Sequence, residues 1–388
     1  MQKIFTRLLI GVTALPILAY ASTDFYRNIP LLTGTSSENV DAHLINPWGF
    51  VLTKEANLVI ANNGTNTSTI YTPTGGAINF NPGTTAPDRP TLFVNALSNP
   101  TGIVINPSKH DFKFKTSGGK KPAEYIYCTE NGTLLAYSQE VDPLNAVIVA
   151  NRSAHGSVYK GLEVAKVNNK YYLYATDFHN AKVDVFDKDF DYVKSFTDPS
   201  IPSGFAPFNV KNFNNKLYVT YAKQLPPSNQ NDDPGLGNGF VDVFNENGGF
   251  ISRLISHGNL NSPWGLAIAP TNFGPFSNAL LVGNAGDGFI NAYNLVTGSF
   301  LGQLSDSSAT PIQIPRLWGL EANVSNFHHD RPQLNYTAGA ANETDGVFGI
   351  IQFSGNETVG EAVQALKSRA ATGVDLNKVP AKIFIPRI

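Results

Sequence analysis

One pattern recurs six times along the chain and limits the fold more than any other feature. A Pro-x-Gly-like opening starts a short apolar segment. A second apolar segment follows, then a polar Asn/Asp/Gly turn, then an alternating segment that ends in Tyr or Phe. The openings are Pro47-Trp48-Gly49, Pro100-Thr101-Gly102, Tyr159-Lys160-Gly161, Pro207-Phe208-Asn209, Pro263-Trp264-Gly265 and Leu317-Trp318-Gly319. Their third residues are spaced by 53, 59, 48, 56 and 54 residues. Self-similarity at such a period marks an array of supersecondary units, none of which can bury its faces alone.

The units read as strands rather than helices. The second segments are Leu58-Ile60, Tyr125-Cys128, Tyr172-Ala175, Leu217-Thr220, Ala279-Val282 and Leu334-Thr337. The third are Thr69-Tyr71, Leu134-Tyr137, Val183-Phe186, Val241-Phe244, Ile290-Tyr293 and Phe348-Ile351. Val183-Asp184-Val185-Phe186 and Val241-Asp242-Val243-Phe244 are identical and alternate with period two, the signature of a strand with one wet face. Asn63-Gly64 and Asn131-Gly132 mark tight turns, since both residue types tolerate positive φ. The 34 Gly and 25 Pro, with 25 Phe and 15 Tyr, agree with many short strands joined by turns. Six four-stranded units without a linker predict an all-β chain, a six-bladed β-propeller with a short C-terminal extension. Closing the ring lets each blade pack on two neighbours and leaves only short edges. The strand-like run Asp24 to Thr33 is expected to close it by joining the sixth blade.

The ends differ from the repeat. Residues 1–21 read as a signal peptide: Lys3 and Arg7, an apolar run from Leu8 to Ala19, and the small-x-small sequence Ala19-Tyr20-Ala21. The domain expectation is therefore a signal peptide at 1–21, the propeller at 22–353 and an extension at 354–388. In the extension, Thr358 to Glu361 resembles a capping box, and Val359, Val363 and Leu366 have helical spacing, so a short helix to about Ala371 is expected. An exported protein, periplasmic or secreted, follows, with no membrane span after cleavage. The net charge of −2 excludes the electrostatic footprint of a nucleic-acid binder. The lone Cys128 excludes an internal disulfide and a Cys-based zinc site. No nucleotide, metalloprotease or hydrolase-elbow motif is present, and no cofactor is expected.

Strand alternation places the start of the first strand and the turn after the second on one face. The middle residue of each opening then sits at the mouth of the central channel: Trp48, Thr101, Lys160, Phe208, Trp264 and Trp318. All three tryptophans take this position, in blades contiguous around the ring. The indoles could wall a ligand site opposed by Lys160, or wedge neighbouring blades together. Turn residues Glu130, Asp177, His179 and Asp287 add polar groups on the same face, either for binding or to bond nearby backbone. His328-His329-Asp330 could contact a metal, although adjacent histidines in one loop seldom both ligate.

Asn46-Pro47-Trp48-Gly49, Ala61-Asn62-Asn63-Gly64-Thr65, the run Thr176 to Phe186, and Asn261-Ser262-Pro263-Trp264-Gly265 resemble a family of exported bacterial proteins of unknown function, β-propellers related to NHL repeats. Thr220-Tyr221-Ala222-Lys223, the run Gly237 to Phe244 and Glu343-Thr344-Asp345-Gly346 extend the likeness from residue 24 to about 351. The resemblance implies fold and export and brings no catalytic residues. A looser likeness joins the chain to gluconolactonase- and strictosidine-synthase-like propellers, which hold a divalent ion with Asp or Asn in their openings. Here those positions carry no carboxylate or side-chain amide. The expectation is a propeller that binds a small molecule (a sugar or an aromatic anion) or an envelope protein at its channel mouth. The alternative is a metal-assisted hydrolase or lyase using the carboxylates of Glu130, Asp177 and Asp287.

Overall fold

The computed structural model describes residues 24–35, 40–78, 91–93, 99–116, 118–322 and 332–354. The segment expected to be a signal peptide, residues 323–331 with their two histidines, and the expected C-terminal extension beyond 354 lie outside the described residues.

Each opening lies at or near the start of the inner strand of a four-stranded antiparallel sheet. In the first five blades these strands are Pro47–Leu52, Pro100–Ile105, Tyr159–Val167, Phe205–Phe213 and Pro263–Ile268; in the sixth it is Leu317–Ala322. The three outer strands follow in chain order in blades one to five, with a separate hairpin, Lys113–Thr116 and Gly119–Pro122, inserted after the inner strand of blade two. Blade six takes its outermost strand from the other end of the chain: Phe25–Thr33 pairs antiparallel with Val347–Ser354. The N-terminal strand therefore closes the ring, as expected. Tyr26 anchors it, 3% exposed, with its hydroxyl donating to the Phe273 carbonyl at 2.8 Å. The chain is a six-bladed β-propeller.

The Pro-x-Gly pattern has a packing cause. At every opening the inner strand slips register by one residue against the second strand, a β-bulge that re-aims the middle side chain. The third residue then lies against the next blade's backbone. A Cβ on Gly102 would stand 2.4 Å from the Leu162 nitrogen, and one on Gly49 would stand 2.7 Å from the Thr101 carbonyl. Blade four carries Asn209 instead, and its amide donates to the Trp264 carbonyl of blade five at 2.8 Å. Thr101 and Thr176 tie blades two and three to the blades that follow them, at the Tyr159 and Phe208 carbonyls. Thr337 ties blade six to blade one at the Trp48 carbonyl.

The core is distributed accordingly. Six apolar clusters of described residues each fill one junction between blades. A blade consequently has no wet face. Asp184 and Asp242, read from their alternation as the wet positions of two strands, have fully buried side chains. Val183 and Val185 face the junction of blades three and four, while Phe186 faces that of blades two and three. The turn at Asn63-Gly64 also differs from expectation. It is a short 3-10 turn, and the left-handed residue is Asn66, whereas Gly132 does adopt φ +71°.

Candidate functional site

The six middle residues converge at one end of the channel. Trp48, Phe208, Trp264 and Trp318 form a cluster with Phe178, the phenylalanine that follows the second strand of blade three. The Trp48 and Trp318 rings stack with centroids 3.7 Å apart. Trp264 stands edge-on to both, at 5.9 and 6.1 Å. Phe208 meets Trp48 and Trp318 edge-on as well. None of the four is more than 4% exposed. The rings fill the mouth by packing on one another, so no indole face is open to stack on a ligand.

The first three polar groups at the mouth are paired within the protein. Thr101 is buried, its hydroxyl donating to the Tyr159 carbonyl at 2.9 Å. The Lys160 ammonium lies over the Trp48 ring, 5.1 Å from its centroid, and donates to Glu130 Oε1. Asn63 donates to Glu130 Oε2 at 3.0 Å. Burial pushes the Glu130 carboxyl up, but Lys160 and Asn63 outweigh it and hold it below its ordinary value.

The turn residues do not converge with them. Asp177 is buried and accepts from the Val158 and Asn180 backbone N–H groups and from the Asn180 amide. His179 Nδ1 meets the Ser228 carbonyl at 2.9 Å and pins the long loop after Lys223. Asp287 accepts from the Phe289 N–H and from the Asn284 amide in its own turn. Among the described residues no three His, Cys, Asp or Glu side chains stand close enough together to hold a metal ion.

An arc of polar side chains crosses the mouth instead, over blades three, two, one and six. Glu130 leads through Asn63 to Asn46, whose amide donates to Asn63 Oδ1 at 3.4 Å and to Glu343 Oε2 at 3.0 Å. Glu343 Oε1 meets Arg316 Nε at 3.1 Å. Trp318 Nε1 donates up into this arc, to Asn46 Oδ1 at 2.9 Å. Trp264 Nε1 donates to the Lys160 carbonyl at 3.2 Å. Trp48 Nε1 has no hydrogen-bond partner among the described residues. The arc is open at both ends: Glu130 is 25% exposed, and Arg316 and Glu343 are each about a third exposed.

Arg316 was not singled out by sequence reasoning, whereas Glu343 was read among the polar turn residues of this face. The signal was positional. Asn46, Asn99, Ser262 and Arg316 each precede an opening and adopt left-handed backbone, with φ of 45°, 43°, 47° and 54°. Asn tolerates this region and Arg does not gain from it. Glu343 ends a left-handed turn, Ala341 to Glu343, with φ of 49°, 56° and 70°. Non-glycine residues held this way cost on the order of 1–3 kcal/mol each and cluster at binding sites.

Beneath the indoles the channel holds a cavity of about 20 Å³, lined by Gly49, Gly102, Gly319, Asn209 and Lys211 among others. That is room for a water and no more. Lys211 donates to Glu321 Oε2 at 2.8 Å across the channel, and Glu163 accepts from the backbone at Val164 and Asn212.

No protein-family model matches the chain. It is 34% identical to uncharacterized protein R648 of Acanthamoeba polyphaga mimivirus, over 81% of this chain and 76% of that protein. It is also 34% identical to uncharacterized protein L690 of the same virus, over 80% of this chain and 81% of that one. Among solved structures, a protein of unknown function from Bacteroides thetaiotaomicron shares the fold at 8% identity and a TM-score of 0.53, covering 85% of this chain and 76% of that one. Virginiamycin B lyase of Staphylococcus aureus aligns at 10% identity over 85% of this chain and 99% of its own, at a TM-score of 0.45 too loose to transfer any residue.

Proposed function

This chain belongs to the family of the mimivirus proteins R648 and L690, and we propose that it is a binding protein whose ligand or partner docks on the polar arc at the channel mouth. The observation that carries this is the Arg316–Glu343 pair. Two partly open charged side chains are held on strained backbone, where Gly or Asn would be cheaper, and are joined through Asn46 and Asn63 to the pair of buried Lys160 and partly open Glu130. Strain without a packing return is what a binding surface retains. The indole cluster beneath is the rigid floor of this surface, its ring faces closed to stacking. A metal-assisted hydrolase or lyase has less support, because Glu130, Asp177 and Asp287 are each bonded within separate parts of the mouth. Export follows as a second proposal from Lys3, Arg7, the apolar run and Ala19-Tyr20-Ala21, with a mature N-terminus at Ser22.

A thermal-shift panel of neutral sugars, amino acids, carboxylates and short peptides tests the binding reading. Compounds that raise the melting temperature should lose that effect in Glu343→Gln and Glu130→Gln. Stabilising compounds indifferent to both substitutions, or none across the panel, would count against the mouth as the site.

A further inference from the structure

Hydrogen-bond accounting at the mouth narrows the ligand class, on the premise that the arc is the binding site. The three indole N–H groups are chemically alike and are treated differently. Two are satisfied, by Asn46 and by the Lys160 carbonyl. The third, Trp48 Nε1, is buried without a partner among the described residues, although the residue is only 4% exposed. A buried donor left this way costs about 1–3 kcal/mol, a cost removed when an oxygen reaches it. Ser262 Oγ, at the register of Asn46 and Arg316 but in blade five, is likewise buried without a partner. These two residues give the mouth an unused donor and a hydroxyl that both donates and accepts.

The Trp48 ring contacts two parts of the arc. Lys160 Nζ lies over it, and Trp318, stacked against it, reaches Asn46. The charged groups of the arc are Lys160, Glu130, Glu343 and Arg316, which cancel. A carboxylate ligand would gain from Arg316 and be repelled by both glutamates, and an amine would meet the reverse. A hydroxyl donates to a carboxylate and accepts from an N–H with no net charge to place. We propose that the mouth takes a neutral polyhydroxylated ligand, a sugar or polyol, one of whose hydroxyl oxygens accepts from Trp48 Nε1 while others donate to Glu130 and Glu343.

Three tryptophans give three indole N–H signals, and Trp48→Phe identifies the one in question in a ¹H–¹⁵N spectrum of the full chain. The probes are methyl glycosides of glucose, galactose, mannose and N-acetylglucosamine, with glucosamine, glucuronate and short peptides as charged and non-sugar counterparts. The expected result is a saturable shift of the Trp48 signal with at least one neutral glycoside at millimolar concentration, weakened about ten-fold in Glu343→Gln by loss of a charge-assisted hydrogen bond. Shifts at the mouth with charged or peptide probes only would overturn the ligand class and leave the binding site standing. No shift of any mouth resonance with any probe would overturn both.

Discussion

Trp48 and Trp318 lie face to face, 15° from parallel, across the seam where the last blade meets the first. The pair joins the two ends of a ring whose closing strand comes from the N-terminus, and it carries the arc above it through the Trp318–Asn46 hydrogen bond. Packing and function meet in these two side chains, and substitutions separate them.

Trp318→Ala removes a fully buried ring and leaves the Asn46 oxygen without its donor. A loss of about 3–5 kcal/mol is expected in equilibrium denaturation. Trp48→Phe keeps a ring in the stack, loses three ring atoms and breaks no hydrogen bond, so its cost should fall at least ~1 kcal/mol below that of Trp318→Ala. Equal losses for the two would mean that the Trp48 N–H is satisfied in solution.

Gly102→Ala tests the close approach of neighbouring blades. Its Cβ would stand 2.4 Å from the Leu162 backbone nitrogen, which cannot rotate away. The variant should lose about 3 kcal/mol or more, at the upper end of overpacking costs. Gly118→Ala, which meets only the Thr116 hydroxyl at 3.9 Å, is the control and should be near neutral. A tolerated Gly102→Ala would mean that adjacent inner strands are further apart than described.

Stability should fall as pH rises through the neutral range, and Asp242 is the cause. Burial pushes its carboxyl up to about 8, with Arg253 opposing and Asp198 adding to the rise. Tyr221 is the other titratable group close by. The folded state keeps a proton that the unfolded chain loses near pH 4, so this contribution is full below pH 4 and is lost progressively up to about pH 8. Asp242→Asn should flatten the decline in melting temperature between pH 5 and 9. An unchanged slope would show that Asp242 is ionised in the folded protein.

Fold and mouth were legible in the sequence to different depths. Six openings at near-regular spacing are enough to count blades, because the bulge and the inter-blade contact demand the same residues each time. They also place Trp48, Trp264 and Trp318 together, since position in a repeat is position in space. The fate of the side chains was not legible. Lys160 was expected across the ring from Trp318, to pair with an anionic group or lie against a π-face; it lies over the Trp48 ring, and its anionic partner is the protein's own Glu130. Asp242 was expected in water, but a strand between two neighbours has none. Arg316 escaped notice because its distinction is a left-handed backbone, which sequence shows only for Gly and Asn, and Glu343 was read as one polar turn residue among many without its pairing.

The central claim is that the arc is kept for binding and not for stability. Guanidinium denaturation of Arg316→Gly tests it most directly, without knowledge of the ligand. The substitution removes a partly exposed ion pair, commonly about 0–1 kcal/mol, and relieves left-handed strain of about 1–3 kcal/mol. A variant at least as stable as the parent is the predicted result. A loss of more than about 2 kcal/mol would make Arg316 a structural brace and contradict the account.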